Sequence, residues 1–311
     1  MKKKSTIAIM IVLIICISIV NIYNQNFKLF AVKNCEFLEV SLNPITQIED
    51  NDKEHVEKLL QTYCMDKSFG SSMEENYYGM LLAYTIDWNY DIETFNTQCY
   101  SDYNCALMKF NENEDDIAVE EFINDMYYFM LINQMNDSLN YNTSNLNYQS
   151  EQEALNKIMS LVVSEEIKDP AILRRLCECI SYRGNKVNNK FYIYMEDFVK
   201  SNSNDKNVLS SGYVIDLYVT DYIMNYNLIS HVTVCQKIEE LYNNGSYKFY
   251  AEDEQNSLEN TFNVICMDCK FLGFDFNVLD KLQLEEFNDS NMTMKSMYYY
   301  LALKGMTETD N

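Results

Sequence analysis

The stretch ENYYGMLLAYTIDWNYDI, Glu75–Ile92, decides the fold of this chain, because a second stretch follows the same plan. Glu259–Phe276 reads ENTFNVICMDCKFLGFDF. Both stretches begin with Glu-Asn, continue through apolar residues and end in an aromatic-Asp-apolar triplet. Their starting positions, 75 and 259, differ by 184 residues, which is four steps of about 46 residues, a period typical of helical-pair repeats. The sequence therefore predicts a series of stacked helix pairs.

The rest of the chain reads as helices joined by short polar segments. Stepping along the period from Glu75 places Glu121, Ile167 and Tyr213 near the starts of every second helix. Apolar spacing predicts about twelve helices in all, over residues 53–67, 73–88, 115–139, 153–165, 169–182, 191–200, 206–227, 231–243, 257–273, 276–287 and 293–304, with a less regular stretch at 91–109.

Composition supports an all-α fold. The 311 residues include only seven Gly and two Pro, whereas sheet-rich folds need many turn residues. One of the two prolines, Pro170, follows Asp169 and predicts a helix start, because proline suits the first helical position behind an acidic cap.

The N-terminus predicts export. Lys2–Lys4 precede Thr6–Val20, a stretch without charge that is rich in Ile, Val and Leu, as in a signal sequence or signal anchor. We therefore divide the chain into a signal peptide or anchor at 1–25, a linking segment at 26–50 and a helical domain at 51–311. Cleavage, giving a secreted protein, and retention, giving a membrane-anchored one, both remain open, and either places the body outside the cytoplasm.

The charge of the chain excludes one class of partner. The formal net charge is −23, and such a field repels the phosphate backbone of nucleic acids. The partners we expect are the membrane, through the N-terminal segment, and a protein, lipid-like or glycan ligand.

A family resemblance rests on the segments that precede the two copies. Phe69-Gly70-Ser71-Ser72 leads to the first copy and Asn244-Gly245-Ser246-Tyr247 to the second, and the second helix ends near Leu272-Gly273. This plan resembles the repeat of the prenyltransferase and squalene–hopene cyclase superfamily. The resemblance covers most of residues 50–305 and implies an α/α toroid of about six helical hairpins, whose inner helices surround a central cavity.

The same resemblance suggests a catalytic acid. Cyclases of the superfamily protonate their substrate with the middle Asp of a DxDD motif, and this chain carries Asn113-Glu114-Asp115-Asp116 at a predicted helix start. Asp115 matches the middle position and Asp116 the last, whereas Asn113 replaces the first Asp. The plainer structural explanation is an acidic helix cap.

A zinc site is a second candidate. His231 and Cys235 are four residues apart, and Cys266 and Cys269 are three apart, so each pair shares a helix face. Together they have the composition of a Cys₃His site. The alternative is a histidine at a helix end beside buried thiols. Zinc is the only cofactor that the sequence suggests.

A glycan-active site is a third candidate. Asp87 and Asp91 flank Trp88 and Tyr90, and a pair of carboxylates beside aromatic rings is typical of glycoside chemistry. The alternative is that these residues form the turn that ends the first repeated helix.

The function expected from these observations is binding or interaction without catalysis. No glycine-rich phosphate loop, Gly-x-Ser-x-Gly or His-Glu-x-x-His motif occurs, and the chain has only two histidines. The alternative is an enzyme acting on an isoprenoid, another lipid-like molecule or a glycan. A closed centre favours the first function, and converging carboxylates or a metal favour the second.

Overall fold

The computed structural model of the protein describes residues 29–39, 45, 48–63, 68–112, 118–138, 148–184, 186–272, 282, 284 and 292–308. The described chain is predominantly helical, which confirms the predicted all-α class. Its helices are α1 Asp50–Tyr63, α2 Met73–Thr85, α3 Ile92–Glu112, α4 Val119–Ser138, α5 Tyr148–Glu165, α6 Pro170–Tyr182, α7 Asn189–Asn202, α8 Lys206–Leu209, α9 Tyr213–Met224, α10 His231–Leu241, α11 Leu258–Met267 and α12 Met294–Glu308.

Short strands and one wide turn complete the described elements. Strand β1, Leu29–Ala31, pairs antiparallel with β2, Lys186–Asn188. Strands β3, Tyr242–Asn243, and β4, Ser246–Tyr247, have two residues each and pair as an antiparallel hairpin. A π-helical turn, Asp268–Leu272, continues α11. The strands are too short to form a layer, so helix packing makes the core.

Six helices contact one another in a closed cycle. The contacts run from α2 to α4, α6, α9, α11 and α12, and from α12 back to α2. The other long helices pack outside this cycle: α1 on α2 and α12, α3 on α4, α5 on α3 and α4, α7 on α5 and α9, and α10 on α9. We call the six members the inner helices and the remainder the outer helices.

The inner helix α4 is buried on every side along its middle, which explains its position. In α4, seven consecutive residues from Met126 to Ile132 are at most 1% exposed. A helix that is apolar all round is stable only when neighbours cover all of it. Outer helices such as α3 keep polar residues on their exposed face, so they cover the inner ones and meet solvent themselves.

The helix starts follow the chemistry of their caps. Ser72 accepts a hydrogen bond from the Glu75 amide, and the Glu75 side chain accepts one from the Ser72 amide, which is a capping box. Asp169 accepts from the amides of Ala171 and Ile172 ahead of Pro170. This confirms the helix start predicted at Asp169-Pro170.

Two helix predictions were wrong in extent. The stretch 91–109, predicted to be less regular than the other helices, lies from Ile92 onward in the 21-residue helix α3. The predicted helix 206–227 is two helices, because the amide of Gly212 donates to the carbonyl of Phe249 and Ser211 forms a bridge with Tyr250. A Cβ atom on Gly212 would lie 2.5 Å from Oδ1 of Asn260. The close approach of a second segment therefore interrupts the helix.

The asparagine of the Glu-Asn pair has the same role in both repeated stretches. Asn76 Oδ1 accepts from the amide of Phe69, and Asn260 Nδ2 donates to the carbonyl of Lys248. Each asparagine is buried and ties its inner helix to the segment that precedes it. The preceding glycines differ, since Gly70 lies in the bend that leads into α2 and Gly245, at φ 101°, lies in the β3–β4 hairpin.

The predicted signal segment, residues 1–25, lies outside the described residues. Among the helices that the structure does describe, none combines the length and the apolar character needed to cross a membrane.

Candidate functional site

An extended segment enters the cycle of inner helices and follows α6. We call residues 29–39 the strap. The amide of Lys33 donates to the carbonyl of Ile223 in α9. The amide of Cys35 donates to Ser181 Oγ, and the amide of Leu38 donates to Glu178 Oε1. The residue numbers of the partners on α6 decrease as those of the strap increase. The strap therefore runs antiparallel to α6, starting at the C-terminal end of that helix.

The strap ends in a buried carboxylate. Glu39 is 0% exposed. Its Oε1 accepts from Nη2 of Arg174 at 2.9 Å, and its Oε2 accepts from the hydroxyls of Tyr78 at 3.0 Å and Tyr128 at 3.1 Å. Burial by itself would raise the pKa of Glu39, but the positive charges of Arg175, Lys295 and Arg174 outweigh it and hold this pKa well below its usual range.

Arg174 lies at the centre of a group of charged side chains that we call the interior cluster, namely Glu39, Arg174, Arg175, Glu178 and Asp216. Its guanidinium donates to Asp216 Oδ1 at 2.6 Å from Nε, to Glu178 Oε2 at 2.5 Å from Nη1 and to Glu39 from Nη2. Burial raises the pKa of both Glu178 and Asp216, and the charge of Arg174 opposes that shift. The planar fork of arginine suits such an arrangement, because it serves several carboxylates at fixed angles.

All arginines of the chain lie in α6 or at its C-terminal end. Arg174, Arg175 and Arg183 are the only arginines among 311 residues. Their side chains are 2%, 12% and 14% exposed, and each forms an ion pair with a carboxylate whose side chain is 1% exposed or less. Lysines supply the other positive charges. Arginine is thus reserved for buried ion pairs.

The interior cluster borders a surface cleft through one tyrosine. The Tyr128 hydroxyl lies 2.7 Å from Glu74 Oε1 as well as 3.1 Å from Glu39 Oε2, and it has one hydrogen to donate. Nη2 of Arg175 donates to the same hydroxyl at 3.2 Å. Lys295 pairs with Glu74 at 3.1 Å and with Glu259 at 2.7 Å.

This surface cleft is acidic, and we call it the acidic cleft. Its volume is about 470 Å³, and no Lys or Arg occurs among the described residues that line it. Burial and the neighbouring Glu121 raise the pKa of Asp125 to about 6. The cleft lies between the N-terminal parts of α2, α4 and α6, and its carboxyl groups are those of Glu74, Glu120, Glu121, Asp125 and Asp169.

The predicted catalytic acids stay untested. Asp115 and Asp116 lie in the stretch 113–117, outside the described residues. The described chain resumes at Ala118, which lines the acidic cleft.

The structure brings two of the predicted zinc ligands together. Sγ of Cys235 lies 3.8 Å from Nδ1 of His231, and Nε2 of His231 lies 3.1 Å from the carbonyl oxygen of Leu272. Burial and the nearby Asp268 raise the pKa of Cys235, which disfavours the thiolate that zinc needs. No group of three or more candidate ligands occurs in the described part of the chain, which does not include the side chain of Cys269. Cys266 is buried in α11 as a thiol.

The predicted glycan residues form the turn after α2. Asp87 is exposed and has a φ of 54°, and Trp88 donates its amide to the carbonyl of Ala83. The Asp91 carboxylate accepts from the hydroxyl of Thr94 at 2.6 Å and from the amides of Thr94 and Glu93. The Thr94 hydroxyl is the first cause of the lowered pKa of Asp91. Asp91 therefore caps α3.

Sequence reasoning missed the interior cluster, although two signals pointed to it. Arg174-Arg175 interrupts the apolar run of α6, and Glu39 follows the apolar pair Phe37-Leu38. Charges of opposite sign in two apolar stretches predict a buried pair. Neither signal identifies its partner by itself, because the sequence does not show that the two stretches meet. The strap also lay in the stretch that was interpreted as a linking segment.

Comparison with family models, with characterised proteins and with solved structures finds no match to this chain.

Proposed function

We propose that this chain is an exported or membrane-anchored α/α-toroid protein of the prenyltransferase-like type that works by binding and not by catalysis. The observation that supports the proposal is the occupied interior: the strap fills the space beside α6, and Arg174, Arg175 and Tyr78 donate to the Glu39 carboxylate. A toroid enzyme acting on a bulky lipid-like substrate needs that space for the substrate.

The toroid part of the proposal is supported by the order of the helix contacts. Outer and inner helices alternate from α1 to α7, and the last inner helix, α12, contacts the first, α2, as a closed ring of helical pairs requires. Closure removes the exposed ends that an open stack of repeats must cap.

The partner is proposed to meet the side of the ring that carries the acidic cleft. Neutral glycans, lipid-like molecules and cationic protein segments are the classes compatible with its surface, whereas anionic polymers are excluded by charge. The membrane is proposed to be met by the N-terminal segment alone.

Binding without conversion can be measured directly. Thermal unfolding of the purified protein is followed with neutral oligosaccharides, an isoprenoid alcohol and a lysine-rich peptide, and mass spectrometry examines each compound afterwards. We expect one class to raise Tm and to be recovered unchanged. Glu120→Gln with Glu121→Gln should abolish the rise, and Glu93→Gln with Asp102→Asn, exposed on α3, should retain it.

Export is tested with a reporter that is active only outside the cytoplasm, fused after Asn311. We expect activity from the natural chain and its loss when Lys2–Lys4 and Thr6–Val20 are deleted. Activity that survives this deletion would contradict the localisation.

The alternative, a toroid enzyme acting on a glycan or lipid-like substrate, is favoured by the acidic cleft. Asp125 has the raised pKa of a general acid and lies among other carboxyl groups in the cleft. Conversion of an oligosaccharide that is lost in Asp125→Asn and kept in Asp102→Asn would establish this alternative in place of the binding role.

A further inference from the structure

We propose that the space beside α6 is a binding groove for an extended acidic peptide of another protein, with an aromatic residue two positions before a carboxylate, and that the strap occupies this groove in cis. The inference concerns the interior of the cycle and not the acidic cleft. It shares with the proposed function the observation that the strap fills the interior, and its test is distinct because it measures peptide binding in the groove and not binding at the cleft.

The groove recognises the backbone of its occupant. Lys270 Nζ donates to the carbonyls of Phe37 and Leu38, the latter at 3.2 Å. Ser181 Oγ donates to the carbonyl of Lys33 at 2.8 Å and accepts from the amide of Cys35 at 2.8 Å. Side chains on the helices thus serve both amides and carbonyls of an extended chain, as peptide-binding grooves do.

Two side-chain subsites add selectivity. The ring of Phe37 packs between Tyr127, at 5.3 Å between ring centroids, and Tyr182, at 5.1 Å. The carboxylate of Glu39 enters the cationic subsite made by Arg174 and Arg175. Between them, the amide of Leu38 donates to Glu178 Oε1 at 2.7 Å, which fixes the spacing of the two subsites.

The strap has the properties of a bound ligand more than those of a structural element. Beyond the three-residue pairing of β1 with β2, the described contacts of its backbone go to side chains of the helices, to Ile223 and to no regular strand. The neighbouring Glu36 is exposed, whereas residues 37–39 are all buried, so the strap passes from the surface into the groove at this point. A segment of this kind competes with any external peptide of the same pattern, and the competition lowers the apparent affinity by the fraction of molecules whose groove is open.

The experiment uses the full chain and a fluorescein-labelled peptide, Leu29–Glu39 with Cys35→Ser, followed by fluorescence anisotropy. The double variant Phe37→Ala with Glu39→Ala weakens the contacts of the strap with the groove, and Glu36→Ala serves as the matched control. We expect the double variant to bind the peptide on the order of 10-fold or more tightly than either the natural chain or the control. A peptide carrying Glu39→Ala should lose that gain, and one carrying Glu36→Ala should keep it.

Equal affinity of the natural chain and the double variant would overturn the proposal, as would equal affinity for the two altered peptides. Strap exchange between copies, seen as a concentration-dependent dimer of the double variant without peptide binding, would also overturn it. Circular dichroism verifies the helical fold. If the double variant does not fold, Glu39→Gln keeps the shape of the side chain, and the same comparison of peptides decides the outcome.

Discussion

The interior cluster and the acidic cleft both concentrate charged residues around the N-terminal halves of the inner helices, yet they treat those charges in opposite ways. In the interior, Arg174 and Arg175 stand beside Glu39, Glu178 and Asp216, and the contacts are short. In the cleft, carboxyl groups line a solvent-filled space with no cation among the described lining residues.

The difference teaches where charge serves the fold and where it is available for a partner. A buried carboxylate without a cation costs several kcal/mol, so the interior must be paired. A carboxylate in water costs little, and its field reaches about 8–10 Å from the surface at physiological salt. Removing charges one at a time from the two places should therefore have unequal effects.

The largest effect is expected from Arg174→Ala. The change leaves Glu39, Glu178 and Asp216 buried without their common partner. We expect the free energy of unfolding to fall by about 3–5 kcal/mol, measured by urea denaturation with circular dichroism. Lys58→Ala, which removes a fully exposed pair with Glu54, is the control and should cost far less, because water screens such a pair. Equal losses would contradict the separation of the two regions.

A smaller effect is expected from Glu39→Gln, and it should depend on pH. Since the pKa of Glu39 is lower in the folded than in the unfolded protein, its ionised form stabilises the fold fully above the unfolded value of about 4.3. That contribution declines as pH falls below this value and is lost as pH falls through the lower folded pKa. We expect Glu39→Gln to cost about 2 kcal/mol at pH 7 and less at pH 3, measured by denaturation at both values. A cost independent of pH would show that the charge of Glu39 is not what matters.

Asp125→Asn is expected to act in the opposite direction. The pKa of Asp125 is raised to about 6 in the folded protein, so the fold loses stability as pH rises from the unfolded value of about 4 to about 6 and no further above it. The variant should be more stable than the natural protein above about pH 6.5 and equal to it below about pH 4. Because the side chain is partly exposed, we expect a gain of about 1 kcal/mol. The measurement is Tm across this pH range.

The smallest effect is expected from Glu120→Gln on the exposed edge of the cleft. We expect a change in unfolding free energy within about 0.5 kcal/mol, measured beside Asp125→Asn at pH 7. A large loss would mean that the cleft is part of the folded core and not a surface for a partner.

The sequence predicted those features that depend on neighbours along the chain. Helix type followed from apolar spacing, and the start at Asp169-Pro170 followed from cap chemistry. The repeated Glu-Asn pointed to a real feature, because Asn76 and Asn260 both tie a helix to its preceding segment.

The features it missed depend on contacts between distant residues. The break of the helix at Ser211-Gly212 is caused by Phe249 and Tyr250, which spacing along the helix does not reveal. The role of Glu39 depends on Arg174, 135 positions away. The stretch 26–50 has no helical periodicity, so a segment that lies in the core was interpreted as a linking segment.

The strap also sets an order of events during synthesis. It leaves the ribosome early, but its carbonyl at Phe37 waits for Lys270, 233 positions later in the chain. Contacts of such high sequence separation form late, since the entropy of closing a long loop must be overcome first. The strap, which is made early, is therefore expected to be among the last segments to be fixed in place. The Leu38 amide forms its hydrogen bond to Glu178 only when the strap is in place. Protection of this amide from hydrogen exchange would therefore report when folding has finished.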